Sequence, residues 1–579
     1  MSGTKTTARS NGHGSLGLSS VAQVLVEGMW ARGVGYAFGV SGGGIIETFL
    51  AFLDSRIKTR HFANEGGAAF AAKQTSVALR QLVALFATTG PGLANLANAL
   101  WAARTSSDAK LVVVTGRTPA RFAGRFTVQE VSSSSMQSSD FFVAGKLFDE
   151  VAILETVEQL PQVFALLANG ASRPGPFLMH ISVPLDVQGR AAQPVAAPPP
   201  LGIFPTVPDP AGIARVAELL ASDSFAFWLG RGAQHASAAI TELVDITNAP
   251  VIETGAGKGA YSELRWLAKG VTGLGGHDSA VLSMQAYRPA FLVVLGTTLG
   301  EASTSFDARL LPAKGFVHVD IDPMVPARAF PSVPTLAIHG DVSRFVEKLL
   351  DHSGELPRQM DIPGIEPYVS SVPACGAVVG TVRPSRLMAA MQRQVVVGGE
   401  APVLAEAGTS MALVAHHLRF GEAGRNWHPD RHGSMGDAAT SVLGAAIASD
   451  GPAVCLTGDG ALLMQCELST AAKYGIPAVW VVLNDARLGI VSAGMARRGR
   501  TDLGEVAFPR VDFALLARAM GATGVRVDDE SELDDALRMA LDAGRPVVLD
   551  VIVNTAEQPP YGARMRFLDE QHRQGDGHE

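Results

Sequence analysis

The sequence predicts an α/β protein made of three doubly wound parallel-sheet domains. Three observations carry that expectation. Short apolar runs alternate with stretches of helical period along nearly the whole chain. Many of the runs end in a glycine turn, in a chain that holds 62 glycines. Two proline-bearing stretches divide the 579 residues into three blocks.

Composition narrows the class. A chain this long exceeds one hydrophobic core, which agrees with several domains. Hydrophobic residues make up 47% and charged residues 18%, so the chain folds rather than stays disordered. The net charge of −8 is spread along the sequence and argues against nucleic acid or a membrane surface as partner. Cys375, Cys455 and Cys466 show no metal-ligand spacing, and their odd number fits no disulfide framework. A reducing, cytoplasmic home is expected. No apolar run approaches the length of a membrane span, and residues 1–15 read as a polar, disordered arm without a signal sequence.

The elements follow in order. In block 16–188, Val21 to Gly33 is amphipathic and helical, and Tyr36 to Val40 is a strand. Ser41-Gly42-Gly43-Gly44 turns into a helix from Ile45 to Leu53. Lys58 to Ala63 is a strand that leads into Asn64-Glu65-Gly66-Gly67 and a helix of small residues. Val83 to Thr88 is a strand that breaks at Thr89-Gly90-Pro91-Gly92, with a helix from Leu93 to Trp101 after it. Strands at Lys110 to Thr115 and Phe177 to Ile181 complete the block. Residues 189–207 form a proline-rich linker. Block 208–355 carries strands at Ala226 to Gly230, Val251-Ile252, Phe291 to Leu295 and Phe316 to Ile321, a Rossmann-like pattern. A second linker, 356–380, holds Pro357, Pro363, Pro367 and Pro373. Block 381–556 begins with a strand ending at Glu406-Ala407-Gly408, and Gly433-Ser434-Met435-Gly436 opens its next helix. Strands at Val525 to Asp528 and Pro546 to Val553 close it, and 557–579 is a polar tail.

The chemistry concentrates in Thr457 to Val491. Val454 to Thr457 reads as a buried strand, Gly458-Asp459-Gly460 as a sharp turn, and Leu462 to Tyr474 as one helix. Ile476 to Leu483 is a second strand, capped by Asn484-Asp485. This β-α-β unit sets Asp459 and Asp485 at the C-terminal ends of parallel strands, where ligands collect. Glycines beside Asp459 let the backbone approach a bulky anion. A hard cation such as Mg²⁺ takes carboxylate and phosphate oxygens, so the pair suggests a metal-bridged diphosphate site. The alternative is an acidic turn and loop with no ligand.

This unit resembles the cofactor and metal fingerprint of thiamin-diphosphate-dependent enzymes. The likeness to the acetolactate synthase, pyruvate oxidase and benzoylformate decarboxylase superfamily extends over about residues 15 to 555. It rests also on Val40-Ser41-Gly42-Gly43, on Arg60-His61 through Glu65-Gly66-Gly67-Ala68, and on Thr89-Gly90-Pro91-Gly92 through Asn95. Two departures stand out: Ser41 replaces the family's proline, and one extra residue separates His61 from Glu65. The resemblance implies a pyrimidine-binding first domain and a diphosphate-binding last domain. It implies thiamin diphosphate held by Gly42, Gly90, Asn95, Gly408, Thr409, Ser410, Ser434, Met435, Gly458, Asp459, Gly460, Ala461, Asp485, Leu488, Gly489 and Ile490. Mg²⁺ would sit on Asp459, Asp485 and the backbone carbonyl of Arg487. Glu65 would activate the aminopyrimidine, and Gln129 would point at the reacting centre. Met435 would prop the cofactor in its bent form. Each has a plainer reading: Glu65 as an N-terminal helix glutamate favoured by the dipole, Met435 as core, Gln129 as a surface loop. The stretch Ser132 to Asp140 lacks the basic residue that acetolactate synthases carry there, which suggests an acceptor other than pyruvate. FAD is possible in the middle domain but disfavoured, because Thr297-Thr298 stands where FAD-bearing relatives have an arginine. His416-His417 lies within a helix and reads as structural.

The expected reaction is decarboxylation of a 2-oxo acid donor and addition of the resulting enamine to a carbonyl acceptor, giving an acyloin or 2-hydroxy-ketone. The alternatives are a non-oxidative 2-oxo acid decarboxylase, an oxidase using FAD, and a non-catalytic homologue. A simple NAD-binding dehydrogenase lacks its spaced glycine motif. Family geometry further implies a homodimer or homotetramer with active sites between subunits.

Overall fold

The computed structural model describes residues 19–106, 108–132, 141–195, 205–368, 375–429, 431–464, 467–500, 502 and 504–575. The N-terminal arm, most of the serine-rich stretch 132–140, the middle of the first linker, part of the second, and Cys466 lie outside these residues.

Three six-stranded sheets are present, each entirely parallel. In spatial order the first runs Lys58–His61, Tyr36–Val40, Val83–Ala87, Lys110–Arg117, Phe177–Pro184, Glu150–Ile153. The third runs Asn426–Trp427, Val403–Ala405, Ala453–Gly458, Ala478–Asn484, Val547–Ile552, Thr523–Val527. Counted along the chain, both have the order 2-1-3-4-6-5, so the first and last units share one topology. The middle sheet runs Ala268–Thr272, Val251–Thr254, Phe225–Leu229, Phe291–Leu295, Gly315–Asp320, Thr335–His339, the order 3-2-1-4-5-6 of a Rossmann-type sheet. Ser19–Ser20 and Ala191–Ala192 pair antiparallel and tie the start of the first unit to its end.

Central strands such as Ala453–Gly458 and Ala478–Asn484 are buried on both faces, which is why they read as continuous apolar runs. Four strands escape that signal. Glu150–Ile153, Thr335–His339 and Asn426–Trp427 are short or only partly covered edges, and Ala268–Thr272 carries Lys269 and Gly270. Two expected helices are each two. The run 93–101 divides into Pro91–Asn95 and Ala97–Thr105. The run 462–474 divides into Asp459–Met464 and Leu468–Tyr474. Asp459 therefore opens a helix rather than sitting in a free turn.

The first and last units also pack on each other. The helices Glu65–Leu79 and Asp437–Ser449 run together, and one core cluster spans both units, from Phe38 and Phe70 to Val442 and Trp480. Lys73 and Asp437, both buried, form an ion pair across the contact at 2.5 Å.

Candidate active site

Strand order in the third sheet reverses between Val403–Ala405 and Ala453–Gly458, and a cavity of about 520 Å³ opens at that edge. Its walls include Gly408, Thr409 and Ser410 after the first strand, and Gly458, Asp459, Gly460 and Ala461 after the second. Asp485, Arg487, Leu488, Gly489 and Ile490 follow the third strand, and Met435 enters from the loop before Asp437–Ser449. Gly408 has φ +94°, a conformation that glycine alone adopts cheaply. A Cβ on Gly460 would come within 2.8 Å of Leu488 Cδ2 and 3.4 Å of the Met435 methyl.

The helices Thr409–His417 and Gly489–Arg497 begin at this cavity, and neither has a side-chain N-cap. Their first N–H groups are suited to an anion. Asp459 is 1% exposed; its Oδ1 accepts from Gly460 N (2.7 Å) and its Oδ2 from Ala486 N (2.6 Å). Asp485 Oδ2 accepts from Arg487 Nε at 3.1 Å. Burial first, then the charge of Asp485, pushes Asp459 up to about 7, and burial also raises Asp485. Two carboxylates held against their own repulsion suit a cation. Among the described residues no group of three or more His, Cys, Asp or Glu could hold a metal ion. A cation here would complete its shell from backbone and from an anionic ligand, as Mg²⁺ does with phosphates. Asn484 faces elsewhere: its Nδ2 donates to Asp550 Oδ1 (2.7 Å) and Val511 O (2.9 Å).

A second group gathers at the matching reversal of the first sheet, between Tyr36–Val40 and Val83–Ala87. Glu65 opens its helix, 8% exposed, and Asn64 Oδ1 caps Gly66 N at 2.8 Å and Gly67 N at 3.4 Å. Glu65 Oε2 accepts from Asn95 Nδ2 at 3.1 Å. A Cβ on Gly42 would meet Thr88 at 2.8 Å, and one on Gly90 would meet Gln129 O at 3.1 Å. Gln129 Oε1 accepts from Thr88 Oγ1 (3.4 Å) and Thr89 Oγ1 (3.3 Å), with its backbone at φ +57°. Such a left-handed glutamine is strained, and strain of this kind concentrates at functional sites.

Gly42, Glu65, Gly90, Asn95 and Gln129 are thus brought together, but they do not line the cavity of the last sheet. Ser434 is also absent from its walls, and its hydroxyl donates to Asn98 Oδ1 at 2.8 Å. The sequence reading missed Tyr561, Asn554 and Glu557, which line the cavity from the segment after the last strand. It also missed Glu406, wholly buried at a strand end, whose carboxylate accepts from Ala407 N and Ala439 N at 3.0 Å each. Burial pushes Glu406 up to about 7. The signal available for Glu406 was its place beside the Gly408 turn; nothing in the polar tail marked Tyr561.

Comparison with known proteins agrees with this architecture. Residues 19–137 match the thiamine pyrophosphate enzyme N-terminal TPP binding domain, 213–349 the central domain, and 406–551 the C-terminal TPP binding domain. The chain is 28% identical over 570 residues to an acetolactate synthase of Mycobacterium avium, covering 93% of this chain and 88% of that one. It is 26% identical to a probable acetolactate synthase large subunit of Methanococcus aeolicus, covering 94% of each. The acetolactate synthase large subunit of Haemophilus influenzae is also 26% identical, with 93% and 95% covered. All three domains of one family follow each other here in that family's order, and the chain belongs to the thiamine pyrophosphate enzymes.

Proposed function

We propose that this protein is a carboligase that decarboxylates a 2-oxo acid and joins the remaining unit to a second carbonyl compound. The observation that carries the reading is the third-sheet cavity, which combines two uncapped helix N-termini with the Asp459–Asp485 pair. Likeness to acetolactate synthases over nearly the whole chain supports carbon–carbon bond formation over simple decarboxylation. His416 and His417 do not argue for the decarboxylase: His416 Nδ1 contacts Gly275 O at 3.0 Å, and its ring stacks on His277.

Thiamin diphosphate supplies the electron sink that both half-reactions need. Mg²⁺, on Asp459, Asp485 and the Arg487 carbonyl, would fix the diphosphate, with the N–H groups at Thr409 and Gly489 as further donors. Met435 would support the cofactor's shape. Glu65 holds or releases a proton at Oε1 while Asn95 fixes Oε2, and a positioned carboxyl of this kind contributes about 10²–10⁴ in rate. Gln129, pinned through its Oε1, leaves its amide N–H₂ to orient an acceptor. Because Glu65 and the cavity occupy separate places in one chain, we infer a homodimer or homotetramer in which each site takes both halves from different copies. The cysteines among the described residues are unpaired thiols, in keeping with a cytoplasmic enzyme. FAD stays disfavoured in the middle unit, because Thr297-Thr298 stands where the resemblance places an arginine in FAD-bearing relatives.

The test is product analysis with thiamin diphosphate, Mg²⁺ and pyruvate, with and without a panel of aldehydes and 2-oxo acids. A coupled acyloin is expected. Free aldehyde alone would make the protein a decarboxylase, and no CO₂ from any donor would make it a non-catalytic homologue.

A further inference from the structure

The segment after the last strand does more than trail away. Tyr561 is 5% exposed and lines the cavity; its hydroxyl contacts the Thr409 hydroxyl at the start of the Thr409–His417 helix. A Cβ on Gly489 would lie 3.0 Å from Thr409 Oγ1, 3.3 Å from Asp485 Oδ2 and 3.9 Å from the Tyr561 hydroxyl. These three side chains therefore converge at the start of the Gly489–Arg497 helix. Tyr561 sits immediately before the helix Gly562–Gly575. That helix is anchored on both neighbouring units: Phe567 meets Phe306 of the middle unit at 5.6 Å between ring centroids, and Asp569 pairs with Arg497. Met565 joins Leu274 and Ala412 in a small apolar cluster, against which Leu568 packs.

We propose that Tyr561 is a positioning residue for the diphosphate end of the cavity: its hydroxyl donates to Thr409 Oγ1, turning the Thr409 hydrogen toward the bound anion, and the C-terminal helix holds it there. The inference rests on the thiamin diphosphate reading above. The direction of donation follows from chemistry. A phenol is the stronger donor of the two, and a hydroxyl that accepts one hydrogen bond directs its own hydrogen elsewhere. A phenol is protonated at neutral pH, so Tyr561 keeps the proton it donates. Thr409 then presents a hydrogen bond to an anion, which is stronger than one between neutral groups.

Titration calorimetry on full-length protein tests this, with two probes, each with Mg²⁺: thiamin diphosphate and inorganic pyrophosphate. Tyr561→Phe keeps the ring and removes one oxygen, and thermal melting of the ligand-free protein checks its fold. The expected result is a Kd about tenfold higher for both probes. Thr409→Ala is expected to weaken both similarly, and adding Tyr561→Phe to it to cost little more, because the two act as one unit. Phe567→Ala, remote from the cavity, is expected to weaken both probes by loosening the helix. An unchanged Kd in Tyr561→Phe overturns the proposal. So does a loss seen with thiamin diphosphate but not pyrophosphate, or full additivity with Thr409→Ala. An unchanged Kd in Phe567→Ala overturns the part given to the helix. If the wild-type protein binds neither probe, the thiamin diphosphate reading falls first and this inference with it.

Discussion

Ser41 stands where the family's turn carries proline, and it makes bonds that proline could not. Its N–H donates to His61 Nε2 at 3.0 Å, and its hydroxyl meets the same nitrogen at 3.0 Å. Accepting at Nε2 leaves the imidazole proton on Nδ1, and burial keeps the ring neutral by lowering its pKa. The turn is thereby tied to the strand that leads to Glu65. Two residue-scale predictions follow from the proposed roles. Glu65→Gln is expected to keep the melting temperature and lower kcat by about 10²–10⁴; near-wild-type turnover would remove Glu65 from the mechanism. Asp485→Asn is expected to bind thiamin diphosphate with Mg²⁺ within a few-fold of wild type, since an amide oxygen also ligates a hard cation. Asp459→Asn is expected to lose that binding, because Asp459 is the more deeply buried anion and bonds two backbone N–H groups. Equal losses in calorimetry would contradict the assignment.

The helix Glu65–Leu79 is the element on which the two cofactor-binding units meet. Its small residues were legible as a run of Gly and Ala, but the reason for them lies across the contact. A Cβ on Gly444 would sit 2.1 Å from Ala71 O, and one on Gly67 would sit 2.3 Å from Glu467 Oε1. Glu467 accepts from Ala63 N (3.2 Å) and Asn64 N (3.0 Å), so the last unit holds the backbone just before Glu65. Within this contact, Lys73→Met would strand the Asp437 carboxylate in the core. The variant is expected to lose about 3–5 kcal/mol in urea unfolding, and Lys73→Met with Asp437→Leu to recover most of it. No loss in the single variant would show that water reaches the pair. The strand Phe177–Pro184 supplies a pH prediction. His180 is fully buried between Thr115 Oγ1 (2.8 Å) and Phe141 O (2.9 Å), and burial lowers its pKa to about 4. The unfolded chain takes up the proton near 6.5, so this contribution to stability is present above 6.5 and is lost as pH falls from 6.5 toward 4. His180→Gln is expected to lose less melting temperature across that window than wild type. Parallel curves would exclude His180 as a source of acid lability.

At the scale of the molecule, the two cofactor-binding units carry the same strand order and gather their candidate residues at the same point of it. One contributes Glu65 and Gln129, the other Asp459 and Asp485. If each active site draws these from different copies, inactive Glu65→Gln and Asp459→Asn proteins should complement each other. Co-refolded in equal amounts as dimers, they are expected to regain about a quarter of wild-type activity, because half the dimers are mixed and one site in each of those is intact. No regain, with mixed dimers demonstrated, would place both halves in one chain. Sizing should show at least a dimer; a fully active monomer would refute the shared site.

What the sequence by itself determined is the α/β class, the alternation of the three blocks and the position of most central strands. A strand covered on both faces is an uninterrupted apolar run, and Tyr36–Val40 and Phe291–Leu295 were legible to the residue for that reason. The acidic strand ends at Asp459 and Asp485 were legible too, because the ligand edge of a parallel sheet follows from chain direction alone. Only the tertiary structure decided the rest. Edge strands such as Thr335–His339 need a neighbour's backbone more than an apolar pattern. The ion pair Lys73–Asp437 joins residues whose separation no local period encodes. Tyr561, in a stretch that reads as a polar tail, reaches the cavity because the helix after it docks on two units at once.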